Sequence, residues 1–388
     1  MRRAIVNGML VLPDGLRPGG VLIDGGRIEA LLGPGMRPTG CEIADAQGGY
    51  VTPGFIDLHV HGGGGADFTD GGADSFTAAG RMHLRHGTTA MTPTLLACAP
   101  ERLEASLRAY ERALGLPGLP EFLGVHLEGP YFSKEMKGAQ DPRYLKNPDP
   151  AEYLRLLDRY PFVRRWSLAP ELPGALEMGE ALRRRGVIAS IAHTSATLDG
   201  VAAAIRCGFS SISHFYSCTS TIRRKGGYRI PGATEAGLLF DELTLELIAD
   251  GHHLPDSLIR LVYKVKGAPR ICLVTDAMRA AGLGDGPSHL GGGPEGFPVI
   301  VEDGVAKLPD RSAFAGSVAT ADILLRTALR AGLPMADAVR ALTLTPAELM
   351  GASSRLGSLA PGKDADLVVL SPEIGIKAVY AKGSPLEG

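Results

Sequence analysis

Apolar and polar positions change their rhythm twice along the chain. Up to about residue 52 the pattern is one of short strand-like runs: Ala4–Val6, Met9–Val11, Gly20–Ile23 and Arg27–Ala30, with Asp24-Gly25-Gly26 as a hairpin turn between the last two. No helical period appears there, which predicts a small β-module. From Pro53 onward, apolar runs of strand length alternate with amphipathic segments of helix length. The runs are Phe55–His61, Thr88–Thr94, Phe122–Glu128, Val163–Ala169, Val187–His193, Ser211–Phe215, Leu245–Asp250 and Ile271–Asp276. Between them lie helical patterns such as Ser75–His86, Glu101–Leu114, Ala151–Tyr160, Ala175–Arg185, Leu198–Cys207 and Ser257–Val265. Eight strand–helix units in about 300 residues predict a closed, TIM-like (β/α)8 barrel rather than an open sheet.

Past the eighth run the rhythm changes again. Gly282–Pro298 is loop-rich and leads to an inserted hairpin, Val299–Val301 and Val305–Leu308, around Glu302-Asp303-Gly304. Helices are predicted over Ala319–Ala331, Met335–Leu342 and Pro346–Met350, the last with Thr345 as cap and Pro346 in the first turn. The tail returns to strands, Asp366–Leu370 and Ile376–Tyr380. Both ends are therefore β and flank a βα region. The expected architecture is α/β: a barrel over residues 53–354, with a small β-sandwich domain built from both termini, residues 1–52 and 355–388.

Composition narrows the function more than the fold. The 388 residues are 45% hydrophobic and 21% charged, enough for a substantial core. A net charge of −2 offers no basic field for nucleic acid or an anionic membrane, and neither is expected as a partner. Cys41, Cys98, Cys207, Cys218 and Cys272 are odd in number and form no C-x-x-C pair, which favours a reducing compartment over a disulfide framework. The apolar run after Met1-Arg2-Arg3 is broken by Asn7, Gly8 and Pro13, and no stretch is long enough to span a bilayer. A cytoplasmic location is expected.

The chemistry gathers at strand ends. His59 and His61 stand two residues apart, so on a strand both imidazoles face one point, as a metal ion requires. Gly62–Gly65 follow and allow a tight turn close to a ligand. An isolated pair of this kind reads equally well as two structural histidines, so the other strand ends decide. The third run ends in His126-Leu127-Glu128-Gly129-Pro130, the fifth in His193 and the sixth at His214; the seventh leads into Asp250-Gly251-His252-His253 and the eighth ends in Asp276. Barrel active sites form at this end of the strands, and buried polar groups cost free energy unless paired. His59, His61, Glu128, His193, His214 and Asp276 thus make a nitrogen and oxygen ligand set for one or two divalent metals: zinc first, with iron, cobalt or manganese as alternatives. Other candidates read as ordinary structure. His83 and His86, before Gly87, suit a helix C-terminus. His289 lies in a glycine loop and Met278 reads as packing. Arg183–Arg185 before Gly186 are a solvated helix end, and Arg223-Arg224-Lys225 a solvated loop with a role in anion contact left open.

This constellation resembles the amidohydrolase superfamily. It rests on PGFIDLHVH at 53–61, HLEGP at 126–130, the single histidines ending the fifth and sixth strands, the aspartate ending the eighth, and the closing segment Gly357–Val368. More narrowly, HLEGP, Ala169-Pro170-Glu171, Ala249–His253, Leu273–Ala277 and Ala315-Gly316-Ser317 resemble N-acetylglucosamine-6-phosphate deacetylases. The resemblance implies that Glu128, His193 and His214 hold one metal, and that His59 and His61 hold a second with Glu128 bridging. It makes Asp276 the catalytic acid and base. It puts Ala139, Gln140, Ser217, Cys218, His253, Phe314, Ala315 and Gly316 at the substrate, with Arg229 contacting a phosphate across a homodimer interface. Two departures fall on the substrate side: Ser217-Cys218 where relatives carry Asn-Ala, and Gln140 where they often carry histidine, which unlike Gln can transfer a proton. The expected reaction removes the N-acetyl group of an amino sugar, N-acetylglucosamine 6-phosphate first, releasing acetate. Alternative substrates are an unphosphorylated N-acetyl sugar, N-acetylgalactosamine 6-phosphate, an N-acyl amino acid or a cyclic amide. A barrel that binds without catalysing is the third reading, opposed by the complete ligand set.

Overall fold

Eight parallel strands curl into a barrel in the computed structural model, which describes residues 2–293 and 296–386. They are β1 (Phe55–Val60), β2 (Thr88–Leu96), β3 (Val125–Glu128), β4 (Val163–Leu168), β5 (Ile188–Ile191), β6 (Phe209–Ile212), β7 (Thr244–Ile248) and β8 (Ile271–Val274). Each pairs in parallel with the next in sequence from β1 to β8. Closure comes from β8 back to β1: Asp276 N–H donates to the His59 carbonyl and His61 N–H to the Ala277 carbonyl, both at 2.8 Å. The strands are buried on both faces, which explains their near-continuous apolar character. Outward side chains such as Trp166, Leu168, Leu245 and Leu247 join the main apolar core. Inside, below the mouth, the barrel carries a polar layer. Ser213 Oγ lies 2.8 Å from both Ser167 Oγ and Ser190 Oγ, and His126 Nε2 lies 2.6 Å from Ser167 Oγ.

The two chain ends meet as expected. Arg3–Leu12 pairs with Gly15–Asp24, which pairs with Arg27–Leu32; on the other side Tyr50–Pro53 links Arg3–Leu12 to Leu367–Leu370, and from there to Ile376–Ala381. Gly25 and Gly26, at φ 55° and 80°, supply the left-handed pair that a two-residue hairpin turn needs. Ile5, Leu10, Val21, Ile23, Val51, Leu367 and Val369 form this sheet's own apolar cluster.

Several expected boundaries shift. The third run is split: Glu121–Phe122 is a separate short strand, and Gly124 at φ 124° breaks the chain before β3. His193, His214 and Asp276 lie beyond their strands, not on them. The inserted hairpin is part of a four-stranded antiparallel sheet, with Gly286–Leu290 and Phe314–Ser317 added to Phe297–Glu302 and Val305–Lys307. His289 therefore sits on a strand rather than in a loop. Positions 294 and 295, within the loop-rich segment, and the tail beyond 386 lie outside the described residues. Arg223–Lys225 pairs with Tyr228–Ile230 as an exposed hairpin, and Ala233–Leu239 is a helix that the apolar pattern did not announce. Thr345 is not a cap: it lies inside the helix Leu344–Leu349, and its hydroxyl donates to the Ala268 carbonyl at 2.9 Å. Among the described residues no helix is long and apolar enough to cross a membrane.

Candidate active site

The six side chains expected to form the metal centre converge at the C-terminal mouth of the barrel. Glu128 is at the middle. Its Oε1 lies 3.0 Å from His214 Nε2 and 3.4 Å from both His193 Nε2 and His59 Nε2. Its Oε2 lies 3.5 Å from His61 Nε2. Asp276 Oδ1 stands 3.0 Å from His61 Nε2 and 3.5 Å from His59 Nε2. Two overlapping groups result, His59–His61–Glu128 and Glu128–His193–His214, each with its ligand atoms within 4.8 Å of one another.

Local structure aims these rings. His193 Nδ1 faces the Met136 carbonyl at 2.8 Å and His214 Nδ1 the Ser217 carbonyl at 3.2 Å. A carbonyl oxygen can only accept, so Nδ1 carries the proton and Nε2 keeps its lone pair for a metal. His193, His214 and Asp276 have φ of 45°, 32° and 48°. Left-handed backbone is rare outside glycine and costs of order 1 kcal/mol or more per residue, and it clusters at functional sites. These residues turn off their strands to point inward. Gly316 (φ 75°) passes so close that a Cβ there would stand 2.9 Å from the Asp276 carbonyl oxygen.

The electrostatics suit a cation. Burial opposes ionisation of Glu128, yet the imidazoles of His193, His214 and His59 gathered around it hold its carboxyl well below the usual range. Asp276 is likewise lowered: burial opposes ionisation, and the neighbouring His59 and His61 outweigh it. Burial disfavours charge on His59, but Asp276 and Glu128 raise its pKa well above the ordinary value. The carboxylates thus draw positive charge into the site. Among the described residues His59 Nε2, fully buried, has no hydrogen-bond partner, and such an atom is costly unless a ligand takes it up. The donor set and this orphaned nitrogen both fit divalent metal.

A cavity of about 250 Å³ opens over the centre. Of the residues nominated for substrate contact, Ala139, Gln140, Ser217, Cys218, His253, Phe314 and Gly316 line it; His252 does not. Leu96, Gly138, Leu290 and Ala313 complete the wall and were not foreseen. Two nominated residues are elsewhere. Ala315 is buried in the apolar cluster of Met278, Val299 and Val301, because alternate residues of its strand face opposite sides. Arg229 lies on the exposed hairpin, where it donates to the Gly227 carbonyl at 3.2 Å. Gln140 reaches the cavity, but its amide donates to Glu128 Oε2 at 2.8 Å. His253 Nδ1 is 2.7 Å from Asp250 Oδ2, and its ring lies 4.8 Å from that of Phe314. Gly62–Gly65 are not in the wall; Gly62–Gly63 pairs with Ala66–Asp67 in a small hairpin beside it.

Sequence reading also missed the supports behind the site. Asp57 Oδ2 accepts from the Thr275 hydroxyl at 2.5 Å, tying β1 to the segment that carries Asp276. Glu171 accepts from the Thr194 hydroxyl and the Ser195 N–H, both at 2.6 Å, behind His193. Arg165 and Glu246 pair below His59. For Asp57, Arg165 and Glu246 the available signal was a charge inside a buried strand.

His83 corrects another expectation. It is wholly buried, and its Nε2–H donates to the Gly62 carbonyl at 2.9 Å, next to His61. Burial lowers its pKa to about 4, so it is neutral and no helix-end charge stabilises it; His86 instead faces Asp322 at 3.1 Å. Because the folded value is below the unfolded 6.5, the unfolded chain binds the proton first. Stability from this group is complete above pH 6.5 and is lost as pH falls toward 4, by about 3 kcal/mol in all. Urea unfolding between pH 6.5 and 4 is expected to show this acid loss, and His83→Gln to flatten it. Equal slopes would reject the buried neutral state.

The amidohydrolase family profile matches residues 50–386, and the chain belongs to the amidohydrolase family, a class of metal-dependent hydrolases. Relatives within that family include deacetylases. The N-acetylgalactosamine-6-phosphate deacetylase of Escherichia coli is 32% identical over 90% of both chains. The human N-acetylglucosamine-6-phosphate deacetylase is 33% identical over 88% of this chain and 84% of its own. Among solved structures, the N-acetylglucosamine-6-phosphate deacetylase of Pasteurella multocida superposes with a TM-score of 0.92 at 28% identity, over 99% of each chain. A mutant Mycobacterium smegmatis enzyme in complex with N-acetyl-D-glucosamine-6-phosphate gives 0.91 at 32% identity, over 100% of this chain and 99% of that one.

Proposed function

We propose that the protein hydrolyses the N-acetyl group of an amino-sugar 6-phosphate, N-acetylglucosamine 6-phosphate first, giving acetate and the amino-sugar phosphate. The observation that carries this reading is the convergence of His59, His61, Glu128, His193, His214 and Asp276 beneath one cavity, in a chain whose relatives are named for this reaction. N-acetylgalactosamine 6-phosphate is the second candidate, since the E. coli relative carries that name.

Glu128, His193 and His214 would hold one divalent ion, and His59 and His61, sharing Glu128, a second; zinc is the first choice for such donors. When bound, such an ion lowers the pKa of a water toward neutrality and polarises a carbonyl oxygen. Asp276, held ionised, takes the proton of the attacking water and returns it to the departing amine, which leaves poorly without it. His253, fixed through Nδ1 by Asp250, lines the cavity and would contact the substrate there. Gln140 is occupied with Glu128, so its part is to orient that carboxylate.

Among the described residues no lysine or arginine lines the cavity. This supports a homodimer in which Arg229, on its exposed hairpin, serves a neighbouring subunit's cavity and meets the phosphate. A cytoplasmic location belongs to the same reading, supported by the spacing of the cysteines. The direct test offers the metal-loaded protein N-acetylglucosamine 6-phosphate, N-acetylgalactosamine 6-phosphate and both unphosphorylated sugars, and measures acetate. Turnover of a phosphorylated sugar well above its unphosphorylated form is expected. No acetate from any of the four would overturn the reading.

A further inference from the structure

Below the first-strand histidines lie two buried charges that the hydrolytic reading does not use. Arg165 on β4 and Glu246 on β7 are both 0% exposed, and the Arg165 guanidinium donates directly to Glu246 Oε1. Burying such a pair costs several kcal/mol per ion, and an apolar pair is often as stable or more so. Stability alone is therefore a poor reason for it.

The contacts of the pair are specific. Arg165 Nη1 donates to the carbonyl of Leu58 at 2.5 Å, immediately before His59. Glu246 Oε2 lies 3.0 Å from His59 Nδ1, and a longer 3.4 Å contact reaches the backbone N–H of His214. The other rings are supported differently: His193 and His214 by backbone carbonyls, while His61 Nδ1 has no partner among the described residues. Glu246 does not line the cavity, so any action on the reaction passes through His59.

We propose that Glu246, itself fixed by Arg165, is a positioning residue for the metal position formed by His59 and His61. It accepts the Nδ1 proton of His59, so that Nε2 faces Glu128 and Asp276 with its lone pair free. The inference rests on the reading that the chain holds two ions. It adds that the two positions have separate supports, and that one of them can be disabled from beneath.

The chemistry of a Glu246→Gln change makes this testable. Arg165 offers only donors, so it claims the oxygen of the new amide. The amide NH2 then faces His59 Nδ1, which must accept, and the ring proton moves to Nε2, the atom the metal needs. Removing a group of this kind lowers metal affinity about 10- to 100-fold. Metal per chain is to be measured after equilibration with buffered zinc. Wild type is expected to hold two equivalents and Glu246→Gln one, the ion at Glu128, His193 and His214 also reporting that the barrel is intact. The double variant Arg165→Met/Glu246→Gln frees the amide oxygen for His59 and is expected to recover the second equivalent. A Glu246→Gln protein that keeps both ions, or loses both together, overturns the assignment, as does a folded double variant that recovers nothing. A wild-type protein that holds one ion overturns the two-ion reading itself, and the two failures are thus distinct.

Discussion

Replacing Asp276 by Asn is expected to lower kcat about 10²- to 10⁴-fold, the usual worth of a positioned acid–base group, while the ion held by Glu128, His193 and His214 stays bound. The substitution keeps size and shape and removes the proton acceptor. The backbone that presents this side chain does not depend on the carboxylate. Asp276 N–H donates to the His59 carbonyl and its own carbonyl accepts from Ser317 N–H, both at 2.8 Å. The left-handed φ of 48° is one that Asn tolerates about as well as Asp. The loss should therefore be chemical rather than structural. The measurement pairs kcat for N-acetylglucosamine 6-phosphate with bound metal in the same sample. A variant within tenfold of wild type would remove Asp276 from the acid–base role, and one that is inactive because it has lost all metal would make it a ligand first.

Glu128→Gln is expected to have the opposite signature: both ions lost, and activity with them. Glu128 is common to the two ligand groups and is the carboxylate toward which His59, His61, His193 and His214 all turn within 3.5 Å. A neutral amide removes the charge that both positions share. The affinity loss should exceed the roughly 10- to 100-fold of a supporting residue. Two readings check it without an assay: metal content, and thermal unfolding with and without zinc. A ligand that binds only the folded chain raises the midpoint, so wild type should shift upward with zinc and the variant should not. A variant that retains one full equivalent would show that one position forms without Glu128.

The site was legible because of where polarity falls. A histidine, glutamate or aspartate closing an apolar run is conspicuous, and barrel geometry brings such ends together, so the six convergent residues could be named from their positions. Their backbone could not. His193, His214 and Asp276 were read as the last residues of strands because hydrophobicity carries no record of φ, and all three leave the strand in left-handed conformations. Arg165 and Glu246 escaped for a different reason. Each breaks an apolar strand, but what makes the charge tolerable is a partner 81 residues away, and pairing across a barrel leaves no local mark. The Arg223–Ile230 hairpin has neither apolar alternation nor a buried face, so only its Gly226-Gly227 turn could have announced it. Ala315 shows the limit of carrying a motif over whole: its neighbours Phe314 and Gly316 reach the cavity, while the pleat turns Ala315 into the apolar cluster beneath.

The sheet assembled from both chain ends sets an order of events during synthesis. Tyr50–Pro53, which runs directly into the strand bearing His59 and His61, is flanked on one side by Leu367–Leu370. About 300 residues separate the two segments, roughly 15 to 60 s of translation at about 5 to 20 residues per second. Through that interval the edge of Tyr50–Pro53 stays open on the growing chain, and the first half of the protein waits on the last for its neighbour. The sheet that carries the strand leading to His59 is completed only once residue 370 has been made.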